Sequence, residues 1–202
     1  PTVLAMQEDT RAALKFGAGA QLISEGVVLA GMANADQIPN VVYNFRQRGP
    51  AWAPIANDLL SPSLIRTAET GASVAIDGNT AVVGARDYDN RGAVFVFTYD
   101  EASDSWTPQA TIQSSDLQTN DQFGFSVGLS GDSLVVGAAN RNNGAGAVYF
   151  FERLGESWAQ KSEIIGTAGE HLGADVDVFG PRAVAGAASA NKAYFYSYNG
   201  VA

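Results

Sequence analysis

The residues of this 202-residue chain best equipped for chemistry lie in four polar stretches, each just after a short apolar run. The richest reads Arg86, Asp87, Tyr88, Asp89, Asn90, Arg91. It combines an aromatic ring, two guanidinium groups and two carboxylates. Such a set can stack on a sugar ring and hydrogen-bond its hydroxyls. It can equally anchor a protein partner, because Tyr and Arg are favoured at interface hot spots. A second stretch offers Asn140, Arg141, Asn142 and Asn143, and a third offers Asn34 and Asp36 with Gln37 and Asn40. The fourth has Ser189, Asn191 and Lys192. The stretches differ in length and chemistry, which counts against four equivalent sugar sites. All are rich in turn formers, so a plain solvated loop accounts for them as well. Asp87–Gly92 has the outline of a calcium loop but lacks the closing Glu that such loops use.

Asp175 and Asp177 form a second kind of candidate. At i and i+2 of a strand they share one face, whereas the matching positions elsewhere hold Ser73, Ala75, Ser126 and Gly128. If the pair lies near a central axis, it can hold a cation in a channel, act as an acid–base pair, or simply line a wet channel. The single histidine, His171, has no Ser or Cys partner visible in the sequence, and no triad follows from it. No phosphate loop, dinucleotide fingerprint or metalloprotease motif occurs. The reading is therefore non-enzymatic, with no catalytic residue, no cofactor and no metal assigned beyond Asp175 and Asp177 as weak candidates.

Composition narrows the partners. The net charge is −9, and the 12 Lys and Arg residues are scattered. Binding to a phosphate backbone needs clustered cations, so nucleic acid is not expected. An acidic surface also disfavours anionic membranes, and no apolar run is long enough to cross a bilayer. With no cysteine, disulfides, thiolate zinc sites and cysteine nucleophiles are excluded. Residues 1–15 lack the basic start and apolar block of a signal peptide. Apolar residues make up 46%, enough for a core.

The elements that position these stretches come from internal repetition. Phe16–Leu22, Gly71–Ile76, Phe123–Leu129 and Leu172–Val178 are four related apolar runs. Each is followed by a short turn and a second run ending in Gly31, Gly84, Gly137 or Gly186. Those glycines fall 53, 53 and 49 residues apart. A polar stretch then leads to a third run, at 41–45, 93–97, 147–151 and 193–196. In three copies a Trp (Trp52, Trp106, Trp158) opens a fourth run, and its recurrence points to packing between outer strands. Four short strands per repeat of this length predict an all-β propeller with four antiparallel blades. The blades are expected at about 16–60, 71–113, 123–165 and 172–198, within one domain spanning 1–202. The polar stretches then gather on one loop-rich face, the usual home of function on a rigid scaffold.

The fourth repeat lacks its outer strand, while residues 1–8 contain a strand that no repeat claims. Met6 precedes Gly17 by 11 residues, as Leu60 precedes Gly71 by 11 and Ile112 precedes Gly124 by 12. The N-terminal strand is thus expected to join the last blade and close the ring. A monomer is the simpler product, and a dimer that swaps this strand is the alternative.

Asp121-Gln122-Phe123-Gly124-Phe125, Leu134-Val135-Val136-Gly137-Ala138 and Gly146-Ala147-Val148-Tyr149-Phe150 resemble the FG-GAP repeats of integrin α-subunits and of many bacterial proteins. The resemblance covers most of the chain and is specific for fold, weak for function. It implies a binding module at the cell surface or outside the cell, with a glycan or protein ligand on the loop face. Alternatively it implies a structural or assembly module of a larger surface protein. Integrin-type repeats also carry a calcium loop between their first two strands. Here that loop has shrunk to Ser24-Glu25-Gly26, Asp77-Gly78-Asn79, Ser130-Gly131-Asp132 and Phe179-Gly180-Pro181. These have too few carboxylates for the six to eight oxygens calcium takes, so the calcium is not carried over.

Overall fold

The computed structural model describes residues 16–22, 27–32, 42–49, 51–55 and 70–197. Runs rich in Val, Ala, Phe and Tyr, broken by Gly-containing turns, form strands as β-branched and aromatic content favours. The first sheet holds β1 (Phe16–Leu22), β2 (Val27–Met32), β3 (Val42–Arg48) and β4 (Ala51–Pro54). The second holds β5 (Thr70–Asp77), β6 (Thr80–Ala85), β7 (Ala93–Asp100) and β8 (Ser105–Ile112). The third holds β9 (Phe123–Ser130), β10 (Ser133–Ala138), β11 (Ala147–Leu154) and β12 (Ser157–Ile165). The fourth holds β13 (Leu172–Phe179), β14 (Arg182–Ala187) and β15 (Lys192–Ser197). Each sheet is an antiparallel meander in chain order, with three four-stranded sheets and one three-stranded sheet among the described residues. Gly78, Gly131 and Gly180 supply the positive φ of the tight first hairpins.

Neighbouring sheets pack face to face, and this explains the nearly unbroken apolar second strands. Every residue of β6 is buried, because alternate side chains point into two different cores. Val83 joins Leu29, Val42, Phe95 and Trp106 between the first and second sheets. Val82 joins Phe123, Val136 and Tyr149 between the second and third. Val135, Val148, Val176 and Ala185 fill the space between the third and fourth. Each buried Val or Phe contributes about 1.5–3 kcal/mol.

Polar joints lock the sheets in register. Ser73 donates its hydroxyl to the Gly124 carbonyl at 2.9 Å, and Ser126 does the same to Gly173 at 2.8 Å. Gly124 and Gly173 both have φ of +85°, and each lies at a shift in strand register that brings its carbonyl to the neighbouring sheet. Glycines also line the receiving side. A Cβ on Gly84 would sit 2.2 Å from the Gly124 carbonyl oxygen, and one on Gly137 would sit 2.1 Å from that of Gly173. At the opposite end of the strands, the Gly131 amide donates to the Asp77 carboxylate at 2.6 Å. The Gly180 amide donates in the same way to the Ser130 hydroxyl at 3.1 Å. Gly84 and Gly137, two of the regularly spaced glycines of the sequence, are the footprint of these joints.

The expected ring closure rests on residues 1–8, which lie outside the described residues. What the fourth sheet does show is an exposed outer face, with Phe179 and Phe195 84% and 83% accessible. Asp175 and Asp177 stand on that face, both exposed. Alternation along β13 sends them to the side of the sheet, opposite Val176 and Val178, which pack against the third sheet.

Candidate ligand-binding loop face

The β6–β7 and β10–β11 connections carry most of the sequence candidates. Asp87 precedes a short 3-10 turn at Tyr88–Asn90. Arg141–Gly144 form a single irregular helical turn after Asn140. In each loop two successive polar residues adopt left-handed backbone, Asp89 and Asn90 (φ 51° and 56°) and Asn142 and Asn143 (φ 50° and 57°). Asn and Asp tolerate this region better than other side chains. All four are exposed. The Asn90 carbonyl accepts the Asn120 amide at 2.6 Å and the Arg91 carbonyl accepts Phe123 at 2.9 Å, so the next linker holds the first loop. Asn140 donates its side-chain amide to the Asn120 carbonyl at 2.7 Å.

Other candidates turn inward. Tyr88 packs edge-on against Phe95, ring centres 5.2 Å apart, at the rim of the first core. Its ring is thereby engaged within the protein. Arg86 lies over the Phe125 ring at 5.2 Å, while Arg91 pairs with Asp89 in its own loop. Asn34 and Asp36, with Gln37 and Asn40, lie outside the described residues.

Arg141 is 6% exposed. Its guanidinium donates to the Asp121 carboxylate at 2.7 Å, the Asp116 carboxylate at 2.5 Å, the Asp116 carbonyl at 2.9 Å and Glu163 at 3.4 Å. Burial pushes the Glu163 carboxyl up. Burial raises Asp116 as well, but hydrogen bonds led by that from Ser114 outweigh it and leave its carboxyl below its usual range. Burial also raises the nearby Tyr149 phenol.

The fourth sheet repeats this arrangement with other residues. Glu170, two positions before Leu172 as Asp121 is two before Phe123, accepts Lys192 at 2.7 Å and Tyr194 at 3.0 Å. It also takes the Thr167 amide at 2.9 Å, as Asp121 takes that of Gln118 at 2.7 Å. Lys192, the Thr167 amide and Tyr194, in that order, hold the Glu170 carboxyl down to about 2. An acid in the linker thus clamps a cation from the adjoining loop, and Arg141 and Lys192 are those cations. Asp116, Asp121, Glu163 and Glu170 were not among the sequence candidates. The shared spacing of Asp121-Gln122-Phe123-Gly124 and Glu170-His171-Leu172-Gly173 is the signal that could have found two of them.

His171 does meet a serine: the Ser189 hydroxyl lies 2.9 Å from its Nδ1, with the Gly169 carbonyl at 3.3 Å from the same nitrogen. The ring rests on the next loop, where a Cβ on Gly144 would sit 3.0 Å from Nε2. Trp106 is 5% exposed against Tyr99, and Trp158 lies under the Arg153 guanidinium at 4.7 Å. The Trp52 side chain is outside the described residues. No group of three or more His, Asp or Glu able to hold a metal occurs among the described residues, and no described helix is long and apolar enough to cross a membrane. Between the third and fourth sheets a cleft of about 330 Å³ is lined by Phe150, Ile164, Val178 and Tyr196, with Lys161 and Arg182 at its polar positions.

Antiparallel meanders of three and four strands packed face to face, with polar loops at one end, are the build of a β-propeller-type repeat module. The chain carries FG-GAP repeats: the family model described as FG-GAP repeat matches residues 68–97 and 106–151, in the second and third sheets. No curated protein matches the chain. Among solved structures, it is similar to a mutant α-L-arabinofuranosidase Arb93A from Fusarium graminearum bound to an iminosugar inhibitor. That similarity has 10% identity and a TM-score of 0.49, over 90% of this chain and 60% of that one. A second structure of the same enzyme with an iminosugar inhibitor has 10% identity and a TM-score of 0.48, over 85% of this chain and 55% of that one. The chain spans less than two thirds of either neighbour, and at these values the likeness carries no inference.

Proposed function

We propose that this chain is a non-enzymatic recognition module that binds a glycan, or failing that a protein surface, through its loop face. The observation that carries the reading is the pair of left-handed, exposed polar dipeptides, Asp89-Asn90 and Asn142-Asn143, held in adjacent loops of packed sheets. Unfavourable backbone retained on a rigid frame is a common mark of a binding loop. Carboxylate and amide groups presented this way suit the paired hydroxyls of a sugar. Arg91, Asp87 and Asn140 border the same face.

Catalysis is not part of the proposal. A Ser–His pair needs a carboxylate to orient the imidazole, and the neighbouring Glu170 is committed to Lys192 and Tyr194. A setting at the cell surface or outside the cell belongs to the proposal and rests on the resemblance to surface FG-GAP proteins. A structural or assembly module is the second reading, and it expects no soluble ligand. A glycan array probed with the labelled protein, with and without EDTA, separates the two. The proposal expects saturable binding that free sugar displaces and that EDTA leaves unchanged. A blank array removes the glycan, and binding abolished by EDTA contradicts the metal-free reading.

A further inference from the structure

Three carboxylates meet one guanidinium beneath the loop face. Arg141 binds Asp121 through Nη1 at 2.7 Å, Asp116 through Nη2 at 2.5 Å and Glu163 through Nε at 3.4 Å. If all three acids were ionised, three negative charges would face one positive charge in a largely buried place, which is costly. Two of the acids have further donors. The Gln118 amide binds Asp121 at 2.7 Å, and the Ser114 hydroxyl binds Asp116 at 2.5 Å. Glu163 has the longest bond to the cation, and its side chain is 19% accessible against 40% for Asp116. It is the acid least able to hold a charge, and in its protonated form it can donate to the Asp116 carboxylate. Directly opposite it in the β11–β12 pairing stands Tyr149. The Tyr149 hydroxyl is buried with no hydrogen-bond partner among the described residues, so it is a donor open to an ionised Glu163.

The cluster grips a linker that both candidate loops share. Residues 113–122 follow β8, and Arg141 holds them through Asp116 and Asp121, with the Asp116 carbonyl also on Nη1 at 2.9 Å. From the same linker the Asn120 amide reaches the Asn90 carbonyl, and the Asn120 carbonyl takes the Asn140 side chain. We propose that Glu163 is a proton-operated latch on this linker: protonated, it bridges to Asp116 and holds the linker on Arg141; ionised, it competes with Asp116 for the guanidinium, drives it toward water and loosens the linker. Burial, together with the contact to Asp116, raises the Glu163 carboxyl. A raised acid contributes stability that is present below 4.5 and is lost as the pH climbs through its folded value, so the latch opens upward in pH. A loop face set firmly in mild acid and loosely in alkali is the consequence for a ligand, and that consequence rests on the loop-face function proposed above; the latch itself does not.

Amide exchange, corrected for the intrinsic effect of pH, tests the latch in the full chain without a ligand. Between pH 5 and pH 8 the Asn120 and Phe123 amides are expected to lose roughly fivefold or more of their protection, while those of β6 keep theirs. In Glu163→Gln, which keeps the neutral shape, protection is expected to stay at its pH 5 level throughout. His171 rests on Gly144 of the loop that carries Arg141 and is present in both chains, so the comparison sets its titration aside. Protection unchanged with pH in the wild type, a fall shared by β6, or a fall retained in Glu163→Gln overturns the proposal. Should the variant be loose already at pH 5, carbon-13 NMR of the wild-type Glu163 carboxyl decides. A midpoint above 4.5 supports the latch, and one at or below 4.5 overturns it. No outcome depends on a ligand, so a blank glycan array leaves the latch standing.

Discussion

Arg141 is the residue in which binding and folding are most easily confused. It sits in a loop of candidates, yet its guanidinium is bound to Asp116, Asp121 and Glu163. Removing one partner of a buried ionic cluster strands the others, at about 3–5 kcal/mol. Arg141→Ala is therefore expected to lower stability by about 3 kcal/mol in urea unfolding, whereas Asn142→Ala and Asn143→Ala stay within about 0.5 kcal/mol. Equal effects would show the cluster to be without weight.

Glu170 gives a pH signature. Its carboxyl is held near 2 in the fold against an ordinary value of 4.5. A depressed acid contributes stability that is present above 4.5 and is lost as the pH falls toward 2. Asp116 acts in the same direction, and Glu163, raised by burial, opposes it. Unfolding midpoints taken between pH 6 and pH 2.5 are expected to fall in the wild type and to fall less in Glu170→Gln. Parallel curves would remove Glu170 as a source of the acid limb.

At the scale of the element, the informative pair is Gly137 and Gly186, the same motif position in successive sheets. Gly137→Ala drives a methyl into the Gly173 carbonyl, and overpacking of this kind costs about 1–3 kcal/mol. Gly186→Ala meets only Asp175 of its own sheet, at an ordinary contact distance of 3.8 Å, and is expected to change stability by less than about 0.5 kcal/mol. Thermal melts of the two variants check this, and equal losses would contradict the assigned joints.

The same positions show what a sequence can and cannot carry. The rhythm of glycines was legible as spacing, and at Gly84 and Gly137 it marks backbone contacts that no other residue fits. The strands were legible from apolar runs broken by Gly turns. The side of the fourth sheet taken by Asp175 and Asp177 was not, because a period of two assigns a shared face without saying what that face meets. The inward turn of Arg141 and the Ser189–His171 contact were hidden too, since both depend on groups brought together from different elements. The acidic position before Phe123 and Leu172 was visible as spacing, but its role as a cation clamp needed the fold.

At the scale of the whole molecule, the described sheets form an array with loops at one end and tight turns at the other. The interior fixes the sheets through apolar packing and a few polar joints, and it leaves the loop residues free to vary. That separation lets loop chemistry change without cost to the fold, and it makes Asp89, Asn90, Asn142 and Asn143 testable as a group. The most direct test sets the wild type beside the variant carrying alanine at all four, on the same glycan array. Amide exchange over 70–197 is followed in both as a check on the fold. The account predicts saturable glycan binding by the wild type and its loss in the variant, with protection unchanged. Glycan binding that survives the four substitutions in an intact fold would contradict the assignment of the ligand to the loop face.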